Sequence, residues 1–99
     1  AYEPGSDELN YVFETAVKMY PDDEVANLNA AISDMQREDF AQAKSHLDKA
    51  GQSAEAIYAR GIYAALLSQY EEALLLLLQA KILGISEAEN AINQIEKLI

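Results

Sequence analysis

Residues 24–53 read EVANLNAAISDMQREDFAQAKSHLDKAGQS, and residues 54–83 read AEAIYARGIYAALLSQYEEALLLLLQAKIL. Set one beneath the other, they match in residue type at spacings of 30: Ala31 with Gly61, Phe40 with Tyr70, Ala43 with Ala73, Leu47 with Leu77, and Ala50 with Ala80. Self-similarity at such a period marks stacked supersecondary units. The residue types say which kind. Two helices need a small side chain wherever their axes approach to ~8 Å, with an aromatic or aliphatic knob beside it. Alanine and glycine fill the first role here; Phe40, Tyr70, Leu47 and Leu77 fill the second. One step upstream the spacing lengthens, since Phe13 to Leu47 and Ala16 to Ala50 are both 34 residues. The difference is about one helical turn, which lets a helix change length without rotating its buried face.

Start and stop signals divide the chain into six helices. Ser6, followed by Asp7 and Glu8, opens a first helix whose apolar stripe is Leu9, Val12, Phe13, Ala16, Val17 and Tyr20, and Pro21 closes it. Asp22 and Asp23 cap a second helix through about Gln36. Asp39 opens a third that runs to about Ala50 before Gly51. Ser53 caps a fourth to about Leu67, and a fifth spans about Tyr70 to Leu83 before Gly84. Ser86, with Glu89 three residues on, predicts a capping box for a sixth. No stretch alternates apolar and polar residues as a half-buried strand would. The expected fold is all-α, a stack of antiparallel helix pairs joined by short connections.

Composition limits the function. A chain of 99 residues is expected to form one domain. Seven basic against seventeen acidic residues give a net charge of −10, a field that repels phosphate backbones, so nucleic acid is not an expected partner. There is no cysteine, hence neither a disulfide nor a thiolate metal site. The longest strongly apolar run, residues 73–78, is far short of the ~20 needed to span a bilayer, so no direct membrane insertion is expected. The chain shows no signal peptide and opens at Ala1 on a turn-like Tyr2-Glu3-Pro4-Gly5-Ser6 stretch, which reads as a piece of a longer protein.

The matched positions resemble the tetratricopeptide repeat family, a likeness that implies a right-handed superhelical stack of antiparallel helix pairs. Its pattern sets a small residue in the first helix, an aromatic at the start of the second, two alanines along the second, and a closing proline. Residues 24–53 supply Ala31, Phe40, Ala43, Leu47 and Ala50; residues 54–83 supply Gly61, Tyr70, Ala73, Leu77 and Ala80. Residues 6–20, with Phe13, Ala16 and Pro21, resemble only the second helix of a repeat, and residues 86–99 suit a capping helix with the stripe Ala88, Ala91, Ile92, Ile95, Leu98 and Ile99. The repeats diverge from the family where bulky or leucine positions hold Asn27, Ala30 and Arg60. The segments Tyr2-Glu3-Pro4-Gly5-Ser6, Phe13-Glu14-Thr15-Ala16, Asn27-Leu28-Asn29-Ala30-Ala31 and Ala56-Ile57-Tyr58-Ala59-Arg60-Gly61 are also similar to the repeat-containing tail of bacterial cell-envelope proteins associated with OmpA-like domains. That likeness implies a periplasmic or outer-membrane-associated setting, with a cytoplasmic one as the alternative.

The tetratricopeptide resemblance implies a binding face on the inner side of each first helix. Carried over, it comprises Val25, Leu28, Asn29, Ile32, Met35 and Gln36 in one repeat and Glu55, Tyr58, Ile62, Ala65 and Leu66 in the next. Such a face is mostly apolar and suits a peptide or protein segment. Some family members clamp a peptide's terminal carboxylate; Asn29 fits that clamp, but Glu55 and Ala59 stand where cations are required. The alternative to a binding module is a structural spacer or oligomerisation unit, with a homo-oligomer as one form.

Nothing in the sequence signals catalysis or a cofactor. His46 is the only histidine and reads as a polar surface residue, without a second histidine or cysteine to complete a metal set. Asp22-Asp23-Glu24 lacks the alternating ligands and glycine of a calcium loop and reads as helix capping. Glu71 and Glu72 are adjacent, so on a helix they point ~100° apart and cannot flank one bond. No phosphate loop, nucleophile elbow or Ser/His/Asp set is present. In the leucine run 74–78, Leu77 takes the knob position and Leu76 is expected to face away from the core. Tyr58 is expected either to anchor a partner or to pack as core.

Overall fold

In a computed structural model, which describes residues 6–99, the chain is all-helical. The helices are α1 (Asp7–Met19), α2 (Glu24–Gln36), α3 (Phe40–Leu47), α4 (Ala54–Leu66), α5 (Tyr70–Ile82) and α6 (Glu87–Glu96), with no strand among the described residues. They form two compact units, α1 to α3 up to Gly51 and α4 to α6 over Gln52–Ile99. Within the first unit α2 packs on both α1 and α3. Within the second, α5 packs on both α4 and α6.

Four N-caps stand where the sequence places them. The side-chain oxygens of Ser6, Asp23, Asp39 and Ser53 accept hydrogen bonds from the amides of Leu9 (3.1 Å), Ala26 (2.8 Å), Gln42 (3.2 Å) and Ala56 (3.1 Å). Each satisfies a donor that the first helical turn leaves open. The sixth start differs. Ser86 is already helical (φ −64°, ψ −33°), so its hydroxyl points away from the orphan amides and donates to Glu87 Oε1 instead, at 2.7 Å. The capping box expected with Glu89 does not form, because a capping side chain needs an extended backbone at that residue. A tight turn stands in its place, with the Ala88 amide donating to the Ile85 carbonyl at 3.2 Å. At the end of α3 the last turn tightens to the i→i+3 pattern, with the Lys49 and Ala50 amides on the His46 and Leu47 carbonyls. The regular helix therefore stops at Leu47, short of the expected Ala50.

The 30-residue period is visible in the backbone. The α2–α3 turn has Glu38 at φ 63°, and the α4–α5 turn has Ser68 at φ 61°. Both turns close with the same bonds: Asp39 N–H to Asp34 C=O and Gln69 N–H to Ala64 C=O, each 2.9 Å. A single left-handed residue after the helix is a common way to satisfy its last carbonyls. The matched small residues are buried in both hairpins: Ala31, Ala43 and Ala50 in the first, Gly61, Ala73 and Ala80 in the second. Leu47 and Leu77 are buried knobs, and Phe40 and Tyr70 are half-buried beside them.

The core of the second unit gathers Ile57, Ala64, Ala73, Leu77, Ala80, Ala88, Ile92 and Ile95. Leu76 packs against this cluster, whereas Leu75 is 70% exposed. The expectation that Leu76 faces outward is thus corrected by one position. With Ala73, Leu77 and Ala80 fixing the buried stripe, the direction ~100° before Leu77 still falls over α4, and the next step back reaches solvent.

Candidate functional site

In the second unit, α4, α5 and α6 enclose an open groove of about 240 Å³ lined by Ile62, Ala65, Leu66, Tyr70, Ala91, Gln94, Ile95 and Leu98. Its lining is apolar apart from Gln94 and the tyrosine hydroxyl. Ile62, Ala65 and Leu66, three of the residues the sequence places on one face of α4, line the groove. Leu66 (51% exposed) and Leu98 (66%) stand accessible within it. Tyr58 lies one turn before Ile62 on α4, half-buried and packed against the core cluster. Burial, and then the negative charge of Glu87, push its hydroxyl above the ordinary tyrosine range. Glu55 is exposed at the start of the same helix.

The remaining expected residues belong to the first unit. Val25, Asn29 and Ile32 are exposed on α2, while Leu28 and Met35 are buried. Asn29 is therefore accessible, and Leu28 and Met35 contribute to packing.

The first unit also holds a polar centre that the sequence did not disclose. Glu14 of α1, Asp34 of α2 and His46 of α3 each bring one ligand-type atom into a single cluster, all three atoms lying within 4.8 Å of one another. His46 Nε2 is 3.3 Å from Glu14 Oε1 and 3.7 Å from Asp34 Oδ2. The side chains are largely withdrawn from solvent: 12% exposed for His46, 23% for Glu14 and 2% for Asp34. The surface role expected for His46 is thereby overturned. It sits three residues after buried Ala43 and four before buried Ala50, on the stripe that α3 turns toward its neighbours.

Around the centre lies a shell of fixed hydrogen bonds. Asn27, fully buried, donates from Nδ2 to the carbonyls of Pro21 (3.0 Å) and Asp23 (2.9 Å), while its Oδ1 faces His46 Nδ1 at 3.2 Å. Gln42 donates to Glu14 Oε1 at 2.8 Å. Ser33 donates to Asn10 Oδ1 at 3.1 Å, a second polar link between α2 and α1. Asp34 Oδ2 and His46 Nε2 are buried and make no hydrogen bond. Burial first, then the charges of Glu14 and Asp39, push the Asp34 carboxyl up to about 7, against an opposing pull from Arg37.

One signal was available in the sequence: Asn27, Ser33 and Asp34 fall among the buried positions of α2, where an apolar stripe is the rule. Their partners on other helices lie 12 to 23 residues away (Asp34 to His46, and Asn10 to Ser33), so no local motif joins them.

The fold and these two features define an all-helical protein of paired hairpins with an apolar groove in one unit and a buried polar centre in the other. Comparison with protein-family models, curated proteins and solved structures finds no match.

Proposed function

We propose that the chain is a protein-interaction module in which the groove of the second unit receives an apolar segment of a peptide or protein. The observation that carries this reading is the groove itself, with Leu66 and Leu98 accessible beside Ile62, Ala65 and Ile95. Apolar anchors in a concavity supply most of the energy in such contacts, while a polar rim supplies selectivity. Glu55 and Glu87, with the net charge of −10, favour a segment carrying basic flanks. The likeness to cell-envelope repeats makes a periplasmic protein partner part of this proposal. Panning a random peptide library tests it. Enriched sequences should carry two or more apolar residues with Lys or Arg nearby, and Leu66→Asp with Leu98→Asp should weaken them about tenfold while leaving the melting curve in place. Enrichment indifferent to those substitutions refutes the groove as the binding face.

A second reading, self-association or a spacer role, has its own support. Leu75 (70% exposed), Leu78 (46%) and Ile82 (84%) are spaced i, i+3, i+7 along one side of α5. A light-scattering mass above 10.9 kDa that returns to the monomer value in Leu75→Lys/Ile82→Lys would favour it.

A further inference from the structure

We propose that Glu14, Asp34 and His46 form a binding site for one divalent transition-metal ion of the zinc type. The amide group of Asn27 is fixed, because Nδ2 donates to two backbone carbonyls, and a flipped amide would set oxygen against both. Asn27 Oδ1 is therefore the atom that faces His46 Nδ1, so Nδ1 carries the proton and donates. In a neutral imidazole the other nitrogen, Nε2, then presents a bare lone pair. Carboxylate oxygens of Glu14 and Asp34 lie 3.3 and 3.7 Å from that nitrogen. Three lone-pair donors within 4.8 Å of one another suit a cation held among them.

The distances suit a metal. Tetrahedral zinc with nitrogen and oxygen ligands at about 2.0–2.1 Å implies ligand-to-ligand edges of roughly 3.3–3.4 Å. The two measured edges are 3.3 and 3.7 Å, and the third is within 4.8 Å, so small side-chain movements close the set. Two carboxylates and a divalent ion also make a neutral assembly, which removes the cost of holding two buried negative charges together. The buried Asp34 Oδ2 and His46 Nε2 each lack a hydrogen bond, and a metal would satisfy both. An imidazole in a three-ligand set selects zinc-type ions over calcium or magnesium, which take six or more oxygens. The outer shell has the expected form: Asn27 orients the imidazole and Gln42 holds the Glu14 carboxylate. Since one ligand comes from each of α1, α2 and α3, the ion would act as a staple through the first unit, with water completing the fourth position.

The experiment is calorimetric titration of the chelator-treated, tag-free chain with Zn²⁺. NMR of the imidazole follows in parallel, and its signals assign themselves because the chain has a single histidine. One Zn²⁺ per chain should bind, shift the His46 resonances and raise the melting temperature, and Co²⁺ should develop the visible absorption of a tetrahedral site. His46→Gln and Asp34→Asn should each weaken Zn²⁺ by at least about 100-fold, and Gln42→Ala, at an exposed position that leaves folding alone, by about tenfold. Zn²⁺ affinity that survives His46→Gln in folded protein, or Ca²⁺ binding as tightly as Zn²⁺, would show only adventitious binding to an acidic surface and overturn the proposal. A His46 that shifts with pH but not with Zn²⁺ would do the same, making it a counter-ion to the carboxylates.

Discussion

Gly61 offers the sharpest test of the helix packing, because alanine there sets two opposed effects against each other. In an exposed helix interior, Gly→Ala stabilises by about 1 kcal/mol through reduced backbone entropy. In α4 the added Cβ would lie 2.9 Å from both Cγ and Cδ2 of Leu77 and 3.3 Å from Cβ of Leu76. Leu77 is fully buried and Cγ is its branch point, so the clash cannot be relieved by swinging a free end away. Overpacking of this kind costs about 1–3 kcal/mol. The net expectation for Gly61→Ala is a loss of up to about 2 kcal/mol, a drop of several degrees in melting temperature at ~4–8 °C per kcal/mol for a domain of this size. The decisive measurement is a double-mutant cycle with Leu77→Ala, using urea denaturation followed by far-ultraviolet circular dichroism. Leu77→Ala alone should cost ~2–5 kcal/mol. In that background the two atoms at 2.9 Å are gone and only Leu76 Cβ at 3.3 Å remains, so Gly61→Ala should turn stabilising by up to about 1 kcal/mol. If Gly61→Ala stabilises the parent as much as it stabilises Leu77→Ala, the two side chains do not meet and the repeat alignment behind the packing is wrong.

Four further outcomes are expected. Ser53→Ala should destabilise by about 1 kcal/mol through loss of the cap to the Ala56 amide, whereas Ser86→Ala, whose hydroxyl caps no amide, should change the urea midpoint little. Leu75→Lys should be tolerated by the monomer, while Leu76→Lys should lower the melting temperature markedly, because only Leu76 packs against the core. Gly51→Ala should destabilise by about 1–2 kcal/mol in urea denaturation, since φ is +81°; the Glu24 carboxylate that a Cβ would meet is the end of an exposed, flexible side chain and swings aside, so pairing it with Glu24→Ala should recover little. Tyr58 holds its proton more tightly in the folded chain than in the unfolded one, so the stability it contributes is full below pH ~10 and is lost as pH rises through the higher folded value. An ultraviolet titration of the parent minus Tyr58→Phe should show a component above the ordinary tyrosine range that Glu87→Gln moves downward, and a component left in place by Glu87→Gln would place Tyr58 away from α6.

What the sequence determined by itself is the local and periodic part of the structure. Side-chain caps at Ser6, Asp23, Asp39 and Ser53 were legible because a cap is decided within four residues. The buried small residues at 31, 43, 50, 61, 73 and 80 were legible because helix packing repeats with the helices themselves. Local signals failed where a neighbouring element decides the outcome. The backbone at Ser86 was already helical, and Leu76 met α4 where an isolated helix would have left it free. The α4 side of the apolar groove comes from Ile62, Ala65 and Leu66, which the sequence placed on one face; Ala91, Ile95 and Leu98 complete it because α6 packs beside α5 and α4. The polar centre depended wholly on tertiary structure. Glu14, Asp34 and His46 are unremarkable in sequence and gain their chemistry from three helices that exclude water and bring their ligand-type atoms into a single cluster.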